Sequence, residues 1–162
     1  MLTLEKKYKV VSTHGFAEIV LDTVTNQQSL FTKKAFAANE DIISFRAAKV
    51  VQQPSYLTVQ TGIGKHIILE PVFLQYINHS CEPNVFFDTT AMQLVCIKPI
   101  EQGDELRFFY PSSEWEMETP FVCNCGTPSC LGLIQGASFL SNEITAKYRF
   151  TDFIKKQLQE RK

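Results

Sequence analysis

Three cysteines fall within eight residues, Cys123-Asn124-Cys125-Gly126-Thr127-Pro128-Ser129-Cys130, and no other feature restricts the fold as strongly. Gly126 and Pro128 let the backbone turn twice, which brings three sulfurs toward one point. The spacing is too tight for a disulfide framework, and the total of five cysteines is odd. Zinc takes four ligands in a tetrahedron with thiolates at about 2.3 Å, so this knuckle needs one more ligand from elsewhere. Cys81 sits in a polar turn beside Pro83, whereas Cys96 lies between Val95 and Ile97, where a cysteine behaves as a small hydrophobe. Cys81 is therefore the expected fourth ligand, with Cys123, Cys125 and Cys130, to one structural zinc ion. That ion would clamp residues 121–132 onto the turn at 78–83. The competing reading leaves the cluster unliganded or redox-active.

At 162 residues, with 44% hydrophobic content and 13 phenylalanines, the chain can bury one sizeable core. Its formal charge of −1, from 16 basic against 17 acidic residues, provides no global basic field. Neither direct nucleic-acid binding nor membrane association is expected. The start Met1-Leu2-Thr3-Leu4-Glu5-Lys6-Lys7 carries charge where a signal peptide is apolar. No apolar run approaches the roughly 18 residues of a membrane helix. An intracellular protein, cytoplasmic or nuclear, is expected; oligomeric state is left open.

Short strands separated by turn residues dominate the expected structure. Two strands flank His14-Gly15, and others are expected over Ser29–Thr32 and Ile42–Phe45, the latter after the polar turn Ala38–Asp41. Tyr56–Gln60 and Lys65–Leu69 flank Thr61-Gly62-Ile63-Gly64, a hairpin whose two glycines are expected to supply positive φ. Val85–Phe87, Gln93–Ile97 and Glu105–Phe109 complete the strands. Only the end changes period. Ser141-Asn142-Glu143 suits a helix start, and Tyr148, Phe150, Phe153, Ile154 and Leu158 recur at helical spacing. The fold class is mainly β, α+β, with a C-terminal helix.

Two further stretches carry chemistry. Asn78-His79-Ser80-Cys81-Glu82-Pro83-Asn84 is a polar turn between apolar segments, which on its own reads equally as a structural Asx turn. Gly103-Asp104-Glu105-Leu106-Arg107-Phe108-Phe109-Tyr110 ends a hydrophobic strand with a phenol just before Pro111, where a tyrosine can project into a cleft.

Together these residues resemble the SET-domain family. Its Asn-His-Ser-Cys-x-Pro-Asn signature matches 78–84, its Gly-(Glu/Asp)-Glu-Leu-x-Phe-x-Tyr signature matches 103–110, and its post-SET Cys-x-Cys-x4-Cys matches 123–130. The resemblance implies a knotted β-clip fold of small sheets: a SET domain at 1–120 with a variable insert near 44–70, a zinc-binding post-SET segment at 121–137, and the C-terminal helix at 138–162 packed on it. It implies an S-adenosylmethionine-dependent protein-lysine N-methyltransferase. Asn78 and His79 would hold the cofactor, with Gln28, Ser29, Leu30, Tyr56 and Gln75 around it. Tyr76, Phe87 and Phe108 would line the lysine channel, and Tyr110 would be the catalytic tyrosine. Lysine is roughly 99.9% protonated at neutral pH, so the amine must lose a proton before it attacks in line, with Tyr110 orienting it. Phe108 and Phe87, at positions that set product degree in the family, imply di- or trimethylation. Two positions depart from the pattern. Gln27-Gln28-Ser29 stands where the family has Gly-x-Gly, and Gln75-Tyr76 where it has Arg and Phe.

Residues 101–122 carry Glu101, Asp104, Glu105, Glu114, Glu116 and Glu118 against Arg107 alone, with Trp115 and Met117 among the glutamates. This composition suits a basic, lysine-bearing partner such as a histone tail, although a charge run of this kind also serves as a solvated loop. The alternative functional reading is a catalytically inactive module of the same fold that binds basic peptides.

Overall fold

The hairpin at 62–65 shows how local chemistry sets the sheets. The computed structural model describes residues 7–161, so the charged start at 1–6 lies outside the described residues. Strands β1 (Tyr8–His14), β2 (Ala17–Asp22) and β3 (Gln28–Thr32) form one antiparallel sheet in that order. A second sheet has the order β4-β10-β9, built from β4 (Asp41–Ser44), β9 (Val85–Asp88) and β10 (Gln93–Cys96). The third places β7 (Lys65–Glu70) between β5 (Arg46–Val51) and β6 (Val59–Gly62). In the β6–β7 turn only Gly64 has positive φ, +63°; Gly62 pairs with Lys65 across a ladder irregularity instead. One left-handed residue is enough, which corrects the expectation of two.

Three other expectations shift for physical reasons. The strand expected from Tyr56 begins at Val59, because Thr58 Oγ1 and the Thr58 N–H both donate to Ser55 O and tie that stretch into a turn. Strand β5 was not anticipated. It is a largely exposed edge without apolar alternation, and only its pairing with β7 makes it a strand. The C-terminal segment has two helices, α1 (Asn142–Thr145) and α2 (Asp152–Glu160), each capped by a hydroxyl, Ser141 Oγ on Ile144 N–H and Thr151 Oγ1 on Ile154 N–H. A single helix cannot form across 146–151 because three consecutive residues there are claimed by the body. Tyr148 stacks on Phe109 with ring centroids 3.7 Å apart, Arg149 lies over Phe86 at 4.3 Å, and Phe150 is buried against Phe109.

The main core joins all three sheets through Leu30, Leu74, Leu94 and Leu106, all fully covered, with Phe45 and Phe87 edge to face. Cys96 lies in this core. A second cluster, Phe109, Ala137, Phe150 and Ile154, seats α2. A third is small: Cys81, Cys123 and Ile134. None of the helices among the described residues is long and apolar enough to cross a membrane.

Candidate active site and cysteine cluster

The site forms where one segment is threaded between two others. Gly103 and Leu106 donate backbone N–H groups to Thr32 O and Leu30 O, and Asp104 O accepts from Thr32, so 103–106 lies along β3. Immediately afterwards the same run becomes β11 (Arg107–Phe108) and pairs in parallel with β8 (Asn78–His79), Arg107 opposite Asn78 and Phe108 opposite His79. Only this two-residue ladder forms, shorter than the strand expected from Glu105 to Phe109.

Asparagines fasten the crossing because their amides imitate backbone groups. Asn84 Nδ2 donates to Glu105 O at 2.9 Å while its Oδ1 accepts the Arg107 N–H at 2.9 Å. Asn78 Nδ2 donates to Gln28 O and to Ser29 Oγ, both at 2.9 Å. The Gln27-Gln28-Ser29 stretch is thereby tied to the polar turn.

His79 couples this crossing to the cysteines. Its Nδ1 accepts the backbone N–H of Tyr110 at 3.1 Å. An N–H can only donate, so the ring is neutral with its hydrogen on Nε2. That hydrogen points at Cys81 Sγ, 3.4 Å away. Burial, with Arg107 nearby, holds His79 down at about 4, consistent with a neutral ring. Cys81 Sγ also accepts the Leu131 N–H at 3.3 Å, and Cys123 Sγ accepts the Cys125 N–H at 3.3 Å. Sulfurs receiving N–H donors in this way act as hydrogen-bond acceptors, a role that a metal-bound thiolate also plays.

The four sulfurs of Cys81, Cys123, Cys125 and Cys130 lie within 4.8 Å of one another, with Cys81 and Cys123 3.9 Å apart. The edge of a tetrahedron with metal–sulfur bonds of about 2.3 Å is about 3.8 Å, so the cluster has metal-binding dimensions. Burial pushes the Cys81 thiol up, and Cys123 up to about 11. For Cys125 the upward push of burial is outweighed by the Thr127 hydroxyl and N–H, which bring it to about 5. Four thiolates this close repel one another unless a cation sits among them. Tyr148 closes the arrangement by donating its hydroxyl to Cys81 O at 2.7 Å.

Two cavities meet at Tyr110. The larger, about 680 Å³, is lined by Gln28, Ser29, Gln75, Asn78 and His79, with Cys123 to Cys125 as its far wall. The smaller, about 410 Å³, is lined by Thr58, Phe108, Glu114 and Met117 among others. Tyr56, Tyr110 and Phe121 line both. Phe121 belongs to β12 (Phe121–Val122), paired with β13 (Leu133–Ile134), so the partition depends on the segment bearing the cysteines. Burial, with Glu114 close by, pushes Tyr110 up to about 12, so its phenol keeps its proton.

Three of the expected site residues sit elsewhere. Leu30 faces inward from β3 and is fully covered in the core. Phe87 packs behind Phe108, ring centroids 4.8 Å apart, without reaching either cavity. Tyr76, expected in the channel, lines the larger cavity. Sequence reasoning missed Phe121 and Asn124 as wall residues, since nothing local announces that a residue next to a knuckle will face a distant tyrosine. It named Glu114 only as one charge in an acidic run.

A SET domain family model matches residues 27–111, just over half of the chain. Methyltransferase flvH of Aspergillus flavus is 42% identical over 103 residues, which are 62% of this chain and 57% of that protein. Histone-lysine N-methyltransferase ash1 of Drosophila melanogaster is 36% identical over 70 residues, 40% of this chain and 3% of that protein. An H3 lysine-36 specific histone-lysine N-methyltransferase of Schizosaccharomyces pombe is 34% identical over 68 residues, 38% of this chain and 8% of that protein. The chain thus spans little more than half of the first and under a tenth of the other two. The matched stretch runs from the Gln27-Gln28-Ser29 loop through the threaded crossing to the residue after Tyr110, and the chain belongs to the SET domain family.

Proposed function

We propose that this protein is an S-adenosylmethionine-dependent protein-lysine N-methyltransferase. The observation that carries this reading is the pair of cavities meeting at Tyr110, one on each side of a single phenol. Two reactants that must meet in line need separate entrances and a shared partition. A cavity of about 680 Å³ is ample for a nucleoside-sized cofactor, and its lining offers the polar edges of Gln28, Ser29, Gln75 and Asn78. S-adenosylmethionine bound there would supply an electrophilic methyl group. Tyr110, with its backbone held by His79 and its phenol kept protonated, orients the incoming amine. Phe108 and Phe121 give the smaller cavity apolar walls, which favour the neutral amine over its ammonium.

Cys81, Cys123, Cys125 and Cys130 hold one structural zinc ion in this reading, supported by the tetrahedral spacing and by the N–H donors on sulfur. The substrate is a basic, lysine-bearing protein segment, because Glu116 and Glu118 also line the smaller cavity. Phe108, with Phe87 behind it, places no hydroxyl against the amine, and the product is di- or trimethyl-lysine.

The deciding experiment is transfer of tritiated methyl from S-adenosylmethionine to core histones and to cell extract, beside Tyr110→Phe and Asn78→Ala. Both variants are expected to lose at least tenfold in rate. Signal surviving both substitutions would remove these assignments, and a product that stays monomethyl on long incubation would remove the predicted degree. The inactive-module reading draws on Asn78, whose two amide hydrogens are already spent on Gln28 and Ser29. Calorimetry with S-adenosylmethionine separates it, since an inactive module that has lost the cofactor gives no binding heat.

A further inference from the structure

The smaller cavity contains a carboxylate of which the fold uses one oxygen among the described residues. Glu114 Oε1 accepts the Gln60 N–H at 3.1 Å and lies 3.5 Å from Ser113 Oγ. Both contacts fall on Oε1, and no ion pair among the described residues includes Glu114. The cavity is lined without lysine, arginine or histidine among the described residues. Tyr56, Phe108, Tyr110 and Phe121 line it as well, and aromatic rings attract cations. A carboxylate amid aromatics with no protein counter-charge is a cation site.

The carboxylate is also held rigidly. Glu114 O accepts the Ala137 N–H at 2.8 Å and Trp115 O accepts the Ser138 N–H at 3.0 Å. The Trp115 N–H donates to Gln60 Oε1 at 2.9 Å while the Gln60 N–H donates to Glu114 Oε1, so the Glu114 carboxylate and the Trp115 backbone clasp Gln60 from both sides. Gly136 packs so closely here that a Cβ would lie 2.5 Å from Trp115 O. Preorganisation of this kind costs stability and is characteristic of functional groups.

Building on the methyl-transfer reading above, we propose that Glu114 receives the target ammonium in the smaller cavity and takes one of its protons. In that step an N–H bond of the ammonium breaks, its electron pair stays on nitrogen as the attacking lone pair, and an O–H bond forms on Glu114 Oε2. A cation and an anion become a neutral amine and a neutral acid. Between apolar walls two neutral groups are favoured over two charges, and the amine is left free beside Tyr110. Once the nitrogen has gained its methyl from the sulfonium donor it is cationic again, and the proton on Glu114 leaves to solvent through the cavity mouth.

The electrostatic setting agrees. Burial raises Glu114 to about 8, closer to the amine's ordinary value of about 10.4 than a free carboxylate is. The titratable groups facing it are the Tyr56 and Tyr110 phenols, Glu116 and Glu118 from its own segment, and His66 of β7, which faces Glu118.

The test has two arms. Saturation-transfer NMR at pH 8.5 with n-butylammonium, the end of a lysine side chain, measures the cation site without any reaction. Glu114→Gln is expected to weaken it about tenfold while neutral n-butanol binds both proteins alike. The second arm is the pH profile of kcat on core histones. Glu114→Gln is expected to fall about tenfold or more at pH 8.5, where Glu114 is ionised and the target is still an ammonium, with the deficit shrinking toward pH 10 as the substrate deprotonates unaided. The KM for S-adenosylmethionine stays unchanged, and Glu114→Asp recovers part of the rate. Equal butylammonium binding in wild type and Glu114→Gln, or a deficit constant across pH, overturns the proposal. A wild type that methylates nothing overturns the parent reading instead, and the binding arm still judges the cation site. Should Glu114→Gln not fold, Glu114→Asp, checked by its melting temperature, carries both arms.

Discussion

Residues 7–111 and residues 112–134 wall the same two cavities, and they are held by different physics. The first region is closed by apolar burial, with Leu30, Leu74, Leu94 and Leu106 fully covered and Phe45, Phe87 and Phe108 packed edge to face around them. The second has almost no core of its own. Its buried apolar members are Cys123 and Ile134, packed with Cys81 from the first region, and it is shaped by thiols and backbone hydrogen bonds. A body closed by burial can fold first and alone, whereas a wall closed by four sulfurs exists only when the sulfurs are neutralised. Phe121, Asn124 and Cys125 stand on that second wall, so the segment bearing the cysteines helps to shape both cavities.

The largest expected effect tests this division directly. Structural zinc sites contribute on the order of 10 kcal/mol, so chelation or Cys81→Ser is expected to abolish amide-exchange protection across 121–134 and to weaken S-adenosylmethionine binding together. Protection of β2, β7 and β10 is expected to persist, and its collapse would show the two regions to be one cooperative unit. Next comes Phe87→Ala, which opens a cavity in the body and is expected to cost about 3–5 kcal/mol in chemical denaturation, with the metal still bound.

Glu114 gives an effect of intermediate size whose sign depends on pH. Its folded value of about 8 stands above the ordinary 4.5, so the fold favours the protonated acid. The stability from this preference is complete below about pH 4.5 and is lost as pH rises through 8. Glu114→Gln, which cannot ionise, should therefore gain on the wild type between pH 5 and pH 9, by about 1–3 kcal/mol after allowance for partial exposure. Melting curves of the two proteins across that range are the measurement, and parallel curves would contradict the shift. Tyr148→Phe removes the 2.7 Å hydrogen bond to Cys81 O and is expected to cost about 1 kcal/mol, felt at the cysteine wall more than in the body. Least of all, Arg46→Ala breaks an exposed pair with Glu70 on the edge strand β5 and should change stability by about 0.5 kcal/mol or less.

Much of the site was legible in the residues because its chemistry is compressed into short runs. Asn78-His79-Ser80-Cys81, the run ending at Tyr110 and the three clustered cysteines each carry groups that rarely gather without a purpose. The setting of Cys81 against that of Cys96 separated a thiol in a polar turn from a core hydrophobe, and the four sulfurs do converge while Cys96 lies in the core. What stayed hidden were relations between runs. Phe121 as part of the partition, Leu30 turned inward, Tyr76 on the larger cavity and the clasp between Gln60 and Glu114 all depend on segments more than forty residues apart in several cases, and no local period encodes such a meeting. The C-terminal helix shows the same limit. Its apolar spacing holds as helix only for Phe153, Ile154 and Leu158 in α2, because Tyr148, Arg149 and Phe150 are drawn onto Phe109 and Phe86.

Residue chemistry alone thus specified a mainly β chain with a cysteine cluster of four members and a phenol at the end of an apolar run, because ligand number, turn propensity and alternation are local properties. The coupling of Cys81 to Tyr110 through one histidine ring, and the placing of a carboxylate against aromatics behind that phenol, came only with the threaded crossing of 103–108 between β3 and β8. Hydrogen bonds and cavities are made between chain segments, and their partners are chosen by the packing of the whole body rather than by either segment alone.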